Sequence, residues 1–291
     1  MVFSDGWIQK LQECHNLEPR RVYGEAGSAC SVCVDKARAE LQTITREYRH
    51  RDIFKMDKSA YFYCTASSTC VSRSSVAGRK KIKKRLTIAI TTNSDGSFQI
   101  PLLCVGTANK PRCFGSHMVA ELGINYTNAA KGAMTTKLFL TWLGYSNDTM
   151  CSQERHVLLL ASPHRVTDHF SNVKLHFLPS NTTAHLQPQD AGSIKSFKCQ
   201  LSKIRDNYVV DKLDAMLEQV DGIGEEDIDK RAEQLYIVSI LVDMRWDQQA
   251  WNKVKKATVF RCWIHTRVLT ADINQLVTEM NNLSIAPKPA N

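Results

Sequence analysis

Hydrophobic and polar positions along the chain change period several times, and the changes mark out its elements. Over residues 173–177, Val173, Leu175 and Phe177 alternate with Lys174 and His176, which predicts a short strand. Pro179 closes it, because proline cannot donate to a ladder. From Ile194 the spacing turns helical: Ile194, Phe197, Leu201 and Ile204 form a stripe, and Lys195, Lys198, Lys203 and Arg205 fill the remaining turns. Residues 157–160 are continuously apolar, as in a central strand covered on both faces. Two β-rich runs, 86–92 and 98–105, flank Asn-Ser-Asp-Gly-Ser, a turn signal that predicts an antiparallel hairpin. The hairpin is expected beside a first strand in which Ile53, Phe54 and Met56 lead to Asp57 at the strand end.

Helical spacing also predicts helices over 3–17, over 34–48 with Ala37, Leu41 and Ile44 inward, and over 134–143 with Met134, Leu138, Phe139 and Trp142 buried. Beyond Ser193 the pattern stays helical almost to the end. Leu235, Val238, Ser239 and Val242 share one side of a helix predicted over 232–243, and Trp246, Trp251 and Trp263 are expected as core anchors. The tail from Ser284 is expected to be disordered.

Composition narrows the class. With 43% hydrophobic residues in 291, the chain can bury a full α/β core. Ten cysteines without a secretory leader predict reduced thiols and an intracellular protein. Cys30 and Cys33 form a close pair, but the wider Cys64/Cys70 spacing fits structural zinc poorly. A formal charge of +9 points to an acidic partner, with nucleic acid the leading candidate. Arg73, Arg79, Lys80, Lys81, Lys83, Lys84 and Arg85 crowd one segment, the composition of a phosphate-contacting patch, a nuclear-import signal or a solvated hairpin edge. Asp190 precedes the helix at 194, where unpaired N–H groups and the helix dipole favour a charged carboxylate. By spacing alone, that acid is a plain cap.

The string Asn-Thr-Thr-Ala-His-Leu-Gln-Pro-Gln-Asp-Ala-Gly-Ser-Ile-Lys-Ser-Phe-Lys, ending at Lys198, closely resembles the third-aspartate motif of the DDE superfamily of transposase nucleases. The nearest branch is the pogo/Tigger group, with the jerky and centromere protein B families derived from it. Met56-Asp57-Lys58-Ser59 is similar to the family's first-aspartate motif, with Lys58 in place of the usual Glu, which sets a cation next to the site. The 157–160 run resembles the strand that carries the second aspartate, usually followed by Asp-Asn and then His. Here Leu160 passes directly to Ala161, Ser162, Pro163 and His164, as if the Asp-Asn segment were deleted. Glu154 and Asp168 are the candidate replacements. Residues 3–17 resemble the last helix of a centromere-protein-B-type helix-turn-helix domain, residues 24–30 its linker, and 251–269, with Cys262 and Trp263, the family's closing segment.

The resemblance implies an α/β fold: a ribonuclease-H-like mixed sheet flanked by helices, with a helical C-terminal extension. It implies a helix-turn-helix remnant over 1–30, the DDE domain over 31–206 and a helical region with its tail over 207–291. It makes Asp57 and Asp190 the catalytic and metal-binding positions, with Mg²⁺ or Mn²⁺ as the ions if metal binding is retained. Arg79, Lys80, Lys81, Lys83, Lys84 and Arg85 become the nucleic-acid-binding set, DNA the partner and the nucleus the location. In-line cleavage of a phosphodiester uses two divalent ions roughly 4 Å apart, and three carboxylates to offset about four positive charges. With the second aspartate missing, the leading expectation is a transposase-derived DNA-binding protein that no longer cuts. The alternatives are an active metal-dependent endonuclease and the decaying product of a mobile element.

Overall fold

A computed structural model describes residues 7, 10, 13–15, 30–64, 82–161, 170–179, 182–218 and 234–269. The helix expected over 3–17 and the tail therefore lie almost wholly outside the described residues. Helix α1 (Ser31–Thr45) leads to strand β1 (Ile53–Phe62), followed by β2 (Arg85–Asn93), β3 (Gln99–Gly106) and β4 (Tyr126–Asn128). Then come α2 (Thr136–Ser152), β5 (Val157–Ala161), β6 (Val173–Phe177), the single turn α3 (Thr183–Leu186) and a π-helical turn over Gln189–Ser193. Helices α4 (Ile194–Leu217), α5 (Ile240–Asn252) and α6 (Lys256–Thr266) complete the described chain.

The six strands form one sheet in the order β4-β3-β2-β1-β5-β6. β1, β2 and β3 are antiparallel neighbours, whereas β5 lies parallel to β1 and β6 parallel to β5. This is the ribonuclease-H-like mixed sheet that the sequence predicts. Strand β4, which pairs in parallel with β3, has no counterpart among the sequence expectations, because three residues are too few to show a period.

Alternation along each strand divides the core. Ile53, Leu86, Ile88, Ile90, Leu158 and Leu160 face α1, α4, α5 and α6, while Phe54, Met56, Leu159 and Ala161 face Phe139, Trp142 and Met150 of α2. All of β5 is buried, as a strand covered on both faces must be. Trp251 and Trp263 are buried, and Trp246 packs on Tyr208 with ring centroids 4.9 Å apart, so the tryptophans are core anchors as expected. The hairpin turn holds Gly96 at φ +70°, and a Cβ there would stand 2.7 Å from the Lys256 carbonyl oxygen at the start of α6.

Three expectations are corrected. β1 continues past Asp57, because residues 58–62 keep pairing with 85–89 of β2, so Asp57 is mid-strand. The helix predicted over 232–243 is interrupted: Gln234 is helical, 235–239 are not, and a separate helix starts at Ile240, where the Ser239 side chain caps it by accepting from Val242 N–H. Likewise α2 begins at Thr136, capped by Thr135, so Met134 precedes the helix.

Beneath β1 lies a buried polar cluster. Asp243 and Asp247, one turn apart on α5, are both fully buried. The Tyr61 hydroxyl lies 2.9 Å from Asp243 Oδ2 and 2.5 Å from Asp247, and Arg205 Nη2 donates to Asp243 Oδ1 at 2.5 Å. A phenol has one proton to give, so its two contacts call for a proton on one of the acids, and the Arg205 pairing holds Asp243 charged and leaves Asp247 to carry it. Burial, with the Asp243 charge added to it, pushes the Asp247 carboxyl well above its usual range. The folded chain then keeps a proton that the unfolded chain releases above about pH 4, so stability falls as pH rises from there. Thermal melts between about pH 5 and about pH 8 should show this decline, and Asp247→Asn should flatten it. Equal slopes for the two proteins would remove Asp247 as its source.

Candidate active site

Asp57 is half-buried on the α4-facing side of β1, opposite Ile90 of β2. Asp190 is exposed on the π-helical turn that leads into α4. Its neighbour Gln189 is fully buried, and Gln189 Nε2 donates to the Lys55 carbonyl oxygen at 2.6 Å. This strap fixes the turn carrying Asp190 against the strand carrying Asp57. From the other side, α6 packs on the turn: a Cβ on Gly192 would lie 3.1 Å from Cys262 Sγ. Hydrogen bonds with Ser193 hold the Cys262 thiol, whose pKa burial raises.

The residue that sequence reasoning missed is Lys55. It shares a strand face with Asp57, two positions away, and is fully buried between Thr92 and Leu160, its partners on β2 and β5. Burial lowers its pKa to about 8, while Asp57 and then Asp190 act in the opposite direction. Both aspartates thus stabilise one buried ammonium, which is still largely protonated near pH 7. Among the described residues Lys55 Nζ has no hydrogen-bond partner. The signal was available: a lysine inside the apolar run Ile53–Met56, in phase with Asp57, has to face the core.

Lys58, expected to set a cation beside the site, lies an odd number of positions from Asp57 and so takes the opposite face of β1. Burial lowers its pKa and Asp57 opposes this. Glu154 is excluded as a replacement ligand. It precedes β5 at φ +52°, while the β1–β5 pairing of Lys55 with Leu160 sets Asp57 beyond the other end of that strand. The separation along the strand is about 25 Å at roughly 3.3 Å per residue. Asp168, the other candidate, lies outside the described residues.

Of the predicted basic set, Lys83, Lys84 and Arg85 are exposed at the start of β2, whereas Arg79, Lys80 and Lys81 lie outside the described residues. Arg85 pairs with Phe62, about 17 Å beyond Asp57 along β1. A second basic surface is formed by the lysines already noted on the helix that starts at Ile194. Beside Asp190, a shallow open groove of about 510 Å³ runs along α4 and is lined by Lys195, Lys198 and Lys203 as well as Cys199.

The family's chemistry requires divalent ions, and the described side chains do not fit a two-ion centre. Two carboxylates and one ammonium sum to a single negative charge, against the roughly four positive charges of an ion pair. Among the described residues no three His, Cys, Asp or Glu side chains converge on a metal position.

Comparison with known proteins gives the family. The DDE superfamily endonuclease family matches residues 83–263. The chain is 22% identical over 276 residues to CENP-B homolog protein 2 of Schizosaccharomyces pombe, covering 91% of this chain and 51% of that protein. It is 24% identical over 204 residues to Tigger transposable element-derived protein 4 of Mus musculus (67% and 39% covered). To the human major centromere autoantigen B it is 26% identical over 223 residues (67% and 36% covered). The chain thus spans about half the length, or less, of these curated relatives. Among solved structures, the Mos1 mariner paired end complex with Mn is similar at a TM-score of 0.36 and 9% identity, over 92% of this chain and 72% of that one. With the family match covering more than half of its length, the chain belongs to the DDE superfamily endonuclease family.

Proposed function

We propose that this chain is a transposase-derived DNA-binding protein of the nucleus whose DDE domain no longer cleaves DNA. The observation that carries the reading is the lysine-lined groove along α4, which ends at Asp190. Three ammonium groups on successive turns of one exposed helix face suit a phosphodiester backbone, which is recognised by charge and spacing rather than by sequence. Lys83, Lys84 and Arg85 add positive charge on the far side of Asp57. The relatives agree in kind, since their names mark them as centromeric or transposable-element-derived proteins.

Two features of the chain support the loss of cleavage. Leu160 runs into Ala161, Ser162 and Pro163 without the second aspartate, and a buried lysine shares the strand face of Asp57. The tether of the Asp190 turn to the strand that carries Asp57 is also what favours the second reading, an endonuclease that draws another ligand from 162–169.

The two readings part in one experiment: plasmid nicking in Mg²⁺ and in Mn²⁺, with an Asp190→Asn control and a gel shift on the same DNA. A shift that weakens steeply with salt and comes without nicking is expected. Nicking that vanishes in the control would establish the endonuclease, and a shift insensitive to salt would overturn the groove as the binding surface.

A further inference from the structure

We propose that the Lys55 ammonium is the resident counter-ion of Asp57 and Asp190, taking the electrostatic part that a divalent cation plays in a metal-dependent nuclease. The inference concerns the same site as the proposed function, but its readout is ion binding without DNA, so it can fail while the gel shift succeeds.

Three observations carry it. First, strand alternation sets Lys55 and Asp57 on one face of β1, about 7 Å apart along the strand. Second, the Gln189 side chain is bonded to the Lys55 carbonyl oxygen, so Asp190, the next residue, is tethered to the same point of the sheet. Third, Lys55 is fully buried and its Nζ has no hydrogen-bond partner among the described residues. A buried ammonium that lacks hydrogen bonds needs opposite charge nearby, or the cost of removing it from water stands uncompensated. Asp57 on the same strand face, and Asp190 beside the tethered Gln189, are the acids that the fold sets nearest to it along the strand and the turn.

The arrangement accounts for two aspartates standing in place without the third. As metal ligands they are an incomplete set, but as counter-ions of a buried lysine two are sufficient. It also gives the site a preference. A divalent ion approaching Asp57 and Asp190 meets the positive charge of Lys55, which lies on the same strand face as Asp57 and is fully buried, so that its repulsion is less screened than that of a surface lysine. The wild-type chain therefore binds Mg²⁺ and Mn²⁺ poorly, and removal of the lysine charge frees the carboxylates for an ion.

The test is a Mn²⁺ titration of the full chain without DNA, followed by the electron paramagnetic resonance signal of the free ion. Lys55→Met keeps an unbranched side chain and removes the charge. It is expected to bind Mn²⁺ at least about tenfold more tightly than wild type, and Lys55→Met combined with Asp57→Asn to lose that gain. Equal affinity in wild type and Lys55→Met overturns the inference. A second measurement stands even where Lys55→Met fails to fold. Asp190→Asn in the wild-type background is expected to lower Tm, because it removes one of two carboxylates facing a buried charge, and an unchanged Tm overturns the inference. Where Lys55→Met does fold, Asp190→Asn should lower its Tm by less than it lowers that of wild type, and an equal loss in both backgrounds is a further refutation.

Discussion

Replacing Arg205 with alanine is expected to destabilise the fold by about 3–5 kcal/mol, the usual cost of stranding a buried charge. Arg205 is the cation bonded to Asp243, and its guanidinium carbon also lies 4.7 Å from the centre of the Tyr61 ring. Without it, α5 presents two acids to the interior with nothing positive bonded to either. In a domain of this size the loss appears as a fall in Tm on the order of 10 °C. The control is Arg205→Met together with Asp243→Leu, which removes both charges and leaves apolar groups of similar size. That pair should recover most of the loss, because buried ion pairs are often no more stabilising than well-packed apolar replacements. A double variant as unstable as Arg205→Ala would mean that the network contributes by its shape and hydrogen bonds rather than by charge balance.

The second large effect concerns binding. Lys195, Lys198 and Lys203 are all exposed, so changing the three to glutamate should leave the melting transition in place. DNA affinity, by contrast, should fall by at least about 100-fold at moderate salt. Changing them to alanine instead should reduce the slope of log affinity against log salt by about 3, one unit for each phosphate no longer neutralised. Fluorescence anisotropy across a salt series reads both quantities. An unchanged slope would move the binding surface to the basic residues at and before the start of β2.

How much of this is visible in the sequence depends on how the information is written into the chain. Strands β2, β3, β5 and β6 announce themselves as apolar or alternating runs bounded by turn residues, and all four are predicted close to their observed limits. The stripe of Ile194, Phe197 and Leu201 likewise locates α4. The site is only partly legible. Asp57 and Asp190 are found through motif resemblance, and the structure holds both in the field of one buried lysine. Lys55 escapes notice because a lysine two positions from an acid reads as surface, until strand parity is counted through Phe54 and Met56. Asp243 and Asp247 are missed for a related reason. Their spacing of four sets them on the same buried side of α5 as Met244 and Trp251, but the helical pattern read from the sequence ends at Asp243. Nothing local could reveal the strap from Gln189 to the Lys55 carbonyl, because it joins positions remote in sequence through a fold that must already exist.

The packing of α6 on the Asp190 turn bears on how the protein is made. A ribosome releases Asp57 first, Asp190 much later and Cys262 later still. At about 5–20 residues per second, on the order of ten seconds or more separates the first strand from the last helix. From the release of Asp190 until α6 follows, the nascent chain carries both acids and the lysine, without the element that packs against the turn between Pro188 and Ile194. The same holds for any fragment that stops before Lys256. It would contain every residue of the candidate site by sequence and still lack the helix against which Gly192 is closed, so the site is completed only by the last described helix of the chain.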